Sequence, residues 1–388
     1  MSTSRWSRKG FVVGVSAGFV ASRAGALAAT MDVVNERPYD WGTPLDELGA
    51  ALYTPNDVFF IRSHMGPPAH IALDSWRLTV NGLVNHPLRL TLDELKRFPR
   101  HEVPALVMCS GDGRYYYGAA YPTASHPAGA QWKTGSVGNA RWAGVRVRDV
   151  LAKAGVKTSA RYSTNFGLDN PLLSTTPKFI RGIELDKLMD EDTLLAYEMN
   201  GQPIPYYHGF PVRLIVPGWA GDHCVKWLTN MTLADSLTKD FWTAVGYRYP
   251  NTLGPAGKGV KPQDEHPITA INVKSIITAP LDGASVRSGS PLSISGLAWS
   301  GDGAYATRVD VSVDGGKSWQ GAKLGESPGK YSWRTFTFAF TPQTSGTLRI
   351  MARATDNRGA TQPTTSPWNP GGYLWNGIHQ IALKVTSA

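Results

Sequence analysis

Only two cysteines occur in 388 residues, and the chain has neither a cluster of basic residues nor an apolar run of membrane-spanning length. Each absence excludes something. Covalent attachment of a c-type haem needs Cys-x-x-Cys-His, and Cys109 and Cys224 lie far apart, so this chain carries no haem of its own. Two cysteines in an exported protein allow at most one disulfide. The apolar stretch from Phe11 to Val20 is shorter than the roughly 20 residues a membrane span requires. The formal charge is +9, yet without the Lys/Arg stripes that mark a nucleic-acid footprint. No internal repeat and no low-complexity tract is found, and long helical periods are scarce.

What is present divides the chain into three parts. Ser7-Arg8-Lys9-Gly10-Phe11-Val12 looks like a variant twin-arginine motif, and Ala26-Leu27-Ala28 fits a small-residue cleavage site. Residues 1–28 therefore read as an export signal, which implies the periplasm. Removing them takes away four cations and no acidic group. The remaining length suggests two domains. Gly254, Pro255, Gly257, Gly259, Pro262, Pro267 and Pro280 crowd the join between them. The division predicted is 29–265 and 266–388. In the second part Leu348, Ile350, Ala352 and Ala354 alternate with polar or longer residues, as do Phe336, Phe338 and Phe340. That period predicts strands, and Asp314-Gly315 predicts a hairpin turn between two of them. An immunoglobulin-like β-sandwich accounts for the pattern. The first part is α+β, with a strand at Trp76–Val80, a helix opened by a Thr91/Glu94 capping box and another over Asp149–Ala154, stopped by Gly155.

The run Val107-Met108-Cys109-Ser110-Gly111-Asp112-Gly113-Arg114 carries the chemistry. A thiolate is a soft metal ligand, flanking glycines admit a bulky group, and arginine offers a permanent planar cation. Alone, a cysteine in an apolar run reads as an ordinary core residue. It is not alone. Tyr53-Thr54-Pro55-Asn56-Asp57, Phe59-Phe60-Ile61-Arg62-Ser63-His64, Arg141-Trp142-Ala143-Gly144-Val145, Tyr197-Glu198-Met199-Asn200-Gly201-Gln202-Pro203, His208-Gly209-Phe210-Pro211-Val212-Arg213 and Val225-Lys226-Trp227-Leu228 stand in order around it. With Val309-Asp310-Val311-Ser312-Val313-Asp314-Gly315-Gly316 further on, the chain resembles the sulfite oxidase family of molybdenum enzymes over nearly its whole length after residue 28.

The resemblance implies a molybdopterin-binding domain before the sandwich, and roles for matching residues. Cys109 would give the one protein thiolate to molybdenum. Arg62 and Arg114 would line an oxyanion pocket, where one arginine about 4 Å from a unit charge offers a gross attraction of about 4 kcal/mol at an effective dielectric of 20. Trp132 would wall that pocket, and His64 would tune the site or the electron exit. Tyr247 would hydrogen-bond near the reacting oxygen, with Tyr249 its rival. Phe60, Ile61, Arg62, Ser63, His64, Asp169, His208, Arg213, Cys224, Val225 and Lys226 would hold the pyranopterin, Arg213 and Lys226 matching its phosphate.

One departure bears on substrate affinity. Vertebrate members carry a third pocket arginine in Trp-Asn-x-Arg-Gly, and here the segment is Trp368-Asn369-Pro370-Gly371-Gly372. The cytochrome b5 domain of those enzymes is also missing from this chain. The implied activity is a periplasmic sulfite dehydrogenase oxidising sulfite to sulfate by two electrons. An external c-type cytochrome would accept them, as acceptor or subunit, and the sandwich would mediate a homodimer. Two rivals stand beside it: a sulfane dehydrogenase subunit acting on carrier-bound sulfur, and a non-catalytic exported binding module.

Overall fold

Alternating apolar residues build most of the chain into sheets, and a computed structural model describes residues 30–171 and 173–387. The export signal read at 1–28 lies outside the described residues. The first domain holds two five-stranded sheets. In one, Arg100–Met108 pairs with Val137–Arg146, which pairs with Leu194–Met199; Gln202–Pro203 and Arg213–Ile215 extend it. The other runs Leu88–Leu90, Leu78–Gly82, Leu228–Ala234, Tyr162–Gly167, Ile180–Glu184, with one parallel pairing, Leu228–Ala234 against Leu78–Gly82. A small three-stranded sheet, Asp32–Asn35, Asp40–Gly42 and Ile61–Arg62, lies beside them.

Helices are short, as the scarcity of helical periods predicts. The Thr91/Glu94 capping box is formed in both directions, opening Leu92–Leu95. The second helix begins earlier than the sequence pattern placed it, at Val147. It ends at Gly155 in the left-handed conformation, φ +66°, which glycine adopts at little cost. Val147, Val150, Leu151 and Ala154 form its buried face. The strand expected from Trp76 is instead Leu78–Gly82.

The second domain is a sandwich. One sheet orders Lys274–Ala279, Leu292–Trp299, Arg334–Phe340 and Lys323–Leu324; the other orders Ser285–Arg287, His379–Thr386, Gly346–Asp356, Ala306–Ser312 and Gln320–Gly321. Ile350, Ala352 and Ala354 face inward, and Phe336 meets them from the opposite sheet in one apolar core. At the predicted hairpin, Asp314 accepts hydrogen bonds from the backbone N–H groups of Lys317 and Ser318, both at 2.9 Å.

Two contacts lock the domains together where it matters for the site. Leu106 N–H donates to Tyr331 O at 2.9 Å. Lys274 Nζ reaches the Asp112 carboxylate at 2.5 Å, with both side chains almost wholly buried. Asp112 also accepts from the Ser136 hydroxyl at 2.7 Å. The loop after Cys109 is thereby fixed from both domains.

Candidate active site

The strand Arg100–Met108 ends by placing Cys109 in the lining of a cleft partly open to solvent. Cys109 N–H donates to Ser136 O at 2.8 Å, which sets the loop's direction. Cys109 and Cys224 both line this cleft as free thiols, so the disulfide alternative is not realised. Burial pushes the Cys109 thiol up, while the nearby cations Arg62 and Arg114 oppose that shift. A thiol in this setting favours its anionic form once a cation binds it.

Arg62, His64 and Tyr247 form a chain beside the cysteine. Strand alternation turns Arg62 toward the cleft because Ile61–Arg62 pairs with Asp40–Gly42, and the Asp40 carboxylate takes Arg62 Nη1 at 2.8 Å. Arg62 Nη2 donates to His64 Nδ1 at 2.6 Å. The same Nη2 lies 3.3 Å from His64 Nε2, which also contacts the Tyr247 hydroxyl. Burial and the surrounding cations Arg62, Arg181, Arg114 and Lys226 hold His64 far below its ordinary pKa, so it stays neutral. Burial raises the Tyr247 pKa well above its ordinary value, so the residue keeps its hydroxyl proton. Its backbone takes φ +54°, which aims the ring inward.

A second group lies deeper in the cleft. Arg213 gives Nη1 to His208 O at 2.9 Å and Nη2 to Cys224 O at 3.1 Å, and its Nε is buried without a partner. Lys226 Nζ donates to Ser63 Oγ at 2.7 Å and Tyr207 O at 3.0 Å. Among the described residues neither cation has a carboxylate within ion-pair distance. Burial holds Arg213 at about 10, and burial together with Arg213 holds Lys226 well below the usual lysine value. Two crowded, unneutralised cations form a seat for an anion. Asp169 Oδ1 is likewise buried without a partner, and burial raises its pKa to about 6. His208 donates Nε2–H to Asn56 O at 3.0 Å.

Placement of the sequence candidates divides into two groups. Phe60, Arg62, Ser63, His64, Cys109, Asp169, His208, Arg213, Cys224, Lys226 and Tyr247 line the cleft together. Ile61, Val225, Trp132 and Arg114 do not line it. Ile61 and Val225 alternate with cleft-facing neighbours and point into the core, Ile61 against Met31, Trp41 and Tyr207. Trp132 does not wall the pocket. It is 1% exposed and packs in the main core, approaching Gly42. Phe179, stacked on His64 with ring centroids 5.2 Å apart, lines the cleft instead. Arg114 lies behind the cysteine loop against Gly111 and Gly129. Tyr249 is also outside the cleft lining.

Sequence reasoning missed Phe59, Phe179, Tyr207, Arg181 and Asp222. Arg181 is wholly buried, 2.7 Å from Asp222 Oδ2, with its guanidinium carbon 5.2 Å from the Tyr247 ring centre. That ion pair is a charge contact off the N–H direction, so neither Asp222 oxygen gains a hydrogen bond. The available signal was Arg181 set between apolar residues in a strand, Ile180–Glu184.

These donors fit a molybdenum–pyranopterin group: a thiol for the metal, paired cations for a phosphate, and unpartnered carboxylate oxygens for N–H groups of a heterocycle. The comparisons agree. Residues 64–242 match the oxidoreductase molybdopterin binding domain and 265–386 the Mo-co oxidoreductase dimerisation domain. Human mitochondrial sulfite oxidase is 38% identical over 378 residues, covering 92% of this chain and 66% of that protein, so the chain spans just under two thirds of this relative. Sulfite oxidase of Arabidopsis thaliana is 30% identical over 379 residues, 92% of this chain and 94% of that protein. Among solved structures, the sulfane dehydrogenase SoxCD of Paracoccus pantotrophus superposes with a TM-score of 0.77 at 28% identity, covering 100% of this chain and 96% of that one. Cleft, cofactor donors and sequence thus converge, and the chain belongs to the sulfite oxidase family of molybdopterin oxidoreductases.

Proposed function

We propose that this protein oxidises sulfite to sulfate, taking the added oxygen from water and releasing two electrons and two protons per turnover. The observation that carries the reading is the placing of Cys109, Arg62 and a proton-bearing Tyr247 around one cleft. When bound, the molybdenum–pyranopterin group supplies the oxygen transfer and accepts the electron pair. The chain does the rest. Arg62 attracts and orients the oxyanion; its hold on Asp40 and on His64 fixes the direction of its fork. Tyr247, which keeps its proton, is available as a hydrogen-bond donor to a substrate oxygen. Arg213 and Lys226 seat the cofactor's phosphate.

The electrons would leave singly to an external c-type cytochrome, and the protein would act in the periplasm after export by its N-terminal segment, as a homodimer or bound to that cytochrome. Extensive similarity to a sulfane dehydrogenase structure favours one second reading, oxidation of sulfur bound to a carrier protein. Sulfite-dependent ferricyanide reduction by protein already shown to contain molybdenum separates them. Rapid turnover supports the first reading. No turnover by loaded protein overturns it and turns the search to carrier-bound sulfur.

A further inference from the structure

Tyr373, in the C-terminal domain, touches two groups of the site although nothing in the family motifs marks it. Its ring stacks on Tyr247, with centroids 5.5 Å apart and planes at 27°. The Arg114 guanidinium carbon lies 5.0 Å from the same ring. We infer that Tyr373 is a positioning residue for the pocket beside Cys109, holding Tyr247, which lines it, in register with Arg114 behind the cysteine loop.

The backbone around it is built for that purpose. Asn369, wholly buried, accepts Tyr373 N–H with Oδ1 at 2.9 Å and donates Nδ2 to Tyr373 O at 2.9 Å. The Tyr117 hydroxyl donates to the same carbonyl at 3.0 Å. Leu374 N–H donates to Ser110 O at 2.7 Å, tying the segment to the residue after Cys109. Gly372 sits at φ +57°, and a Cβ there would come within 2.9 Å of Arg114 Cγ. Only glycine permits this approach, so the tight passage that presents Tyr373 also brings the segment onto the arginine.

Arg114 is held along one edge of its fork. Nε donates to Gly371 O and Nη1 to Ala130 O, both at 3.0 Å. Those two bonds fix the plane, and the Tyr373 ring gives the cation its third side. A cation over an aromatic face is attracted by the negative face of the ring. Tyr373 reaches Tyr247 as well, so one ring couples the arginine to the tyrosine that donates to substrate. Gly371 contributes a carbonyl to Arg114, so the same segment that presents Tyr373 also holds the cation.

The inference rests on the oxyanion reading of the site, and its test separates the two. In molybdenum-loaded full chain, Tyr373→Val is expected to raise KM for sulfite about tenfold while kcat stays within about threefold. Tyr373→Phe, which keeps the ring, is expected to return KM to within about threefold of wild type. An unchanged KM in Tyr373→Val, or a Phe variant as poor as the Val variant, would overturn the ring-based role. Crystal structures of the same variants form a second arm independent of substrate. The expected result is a displaced Arg114 fork and a rotated Tyr247 ring in the Val variant only; both groups unmoved would sink the inference. If Tyr373→Val does not fold, Tyr373→Leu takes its place in both arms. A wild type inactive on sulfite refutes the proposed function, and the structural arm still decides on Tyr373.

Discussion

Buried charged and amide groups are paired differently in the sandwich core and at the cleft. In the sandwich, buried Asp356 accepts from Ser300 Oγ at 2.9 Å, Arg358 N–H at 2.9 Å and Ala360 N–H at 3.0 Å. Gln362 there uses Oε1 for Ser275 and Ala354, and Nε2 for Asn376 and Gly377. In the first domain Asp169, Asp222, Arg181 and Arg213 all keep buried side-chain atoms without a partner, and all but Arg181 line one cleft. A buried polar atom without a hydrogen bond costs about 1–3 kcal/mol, so a folded protein retains a cluster of them where something else completes the set. At the cleft, the unpartnered carboxylate and guanidinium atoms of Asp169, Asp222 and Arg213 lie together, as a binding site requires.

The sharpest test of that contrast is in the cleft lining. Cys109→Ser replaces the soft ligand with a hard one of nearly the same shape. Sulfite-dependent turnover is expected to fall below detection while the circular dichroism spectrum and melting point stay close to wild type. Wild-type rates would remove Cys109 from the metal. Asp112→Ala tests the opposite quality, a satisfied ion pair between the domains. It leaves Lys274 buried and uncompensated, and breaking such a pair costs about 3–5 kcal/mol. Denaturant unfolding is expected to show a loss of that size, and a change under about 1 kcal/mol would mean that Lys274 finds water or another partner.

The same contrast explains what was legible in the sequence. Sandwich strands have one buried face, so period two appears directly in Leu348, Ile350, Ala352 and Ala354. The Thr91/Glu94 box and Gly155 were equally plain because caps are local signals. The cleft is assembled from segments distant in sequence, and only family motifs brought Cys109, Arg62 and Arg213 together. Adjacent letters in a motif are not adjacent in function. Phe60 and Arg62 face the cleft while Ile61, between them, faces the core, and a motif read as a block cannot show that. Trp132 was misplaced for the same reason. Asp222 and Arg181 were missed because a buried carboxylate paired to a distant arginine leaves no periodic trace.

Asp169 offers a smaller effect of unusual sign. Its folded pKa of about 6 stands above the ordinary aspartate value of 3.8. The folded state thus binds more protons than the unfolded one between those values, and stability falls as pH rises through that window. Above pH 6 the penalty is complete, about 3 kcal/mol for a shift of this size. In cofactor-free protein at pH 7, Asp169→Asn is therefore expected to raise unfolding free energy by about 2–3 kcal/mol, while the same variant retains less molybdenum when loaded. A variant no more stable than wild type would mean the carboxylate already has a partner in solution.

His379, in the sandwich, gives the opposite response to acid. Its Nδ1 accepts the Ile277 backbone N–H at 3.0 Å, so the neutral ring is part of the sheet. Burial, with Lys274 adding to it, lowers its pKa from 6.5 to about 4. Here the unfolded state binds more protons between pH 4 and 6.5, so stability is complete above 6.5 and is lost as pH falls through that window. At pH 5 the loss from this residue is about 2 kcal/mol. Gln can present an amide oxygen to Ile277 without titrating, so His379→Gln should flatten the stability difference between pH 7 and pH 5 by that amount in urea unfolding. Equal acid sensitivity in variant and wild type would assign the loss to other groups. Acid thus relieves the Asp169 carboxylate while it strains the His379 ring, two titrations of opposite sign in one chain.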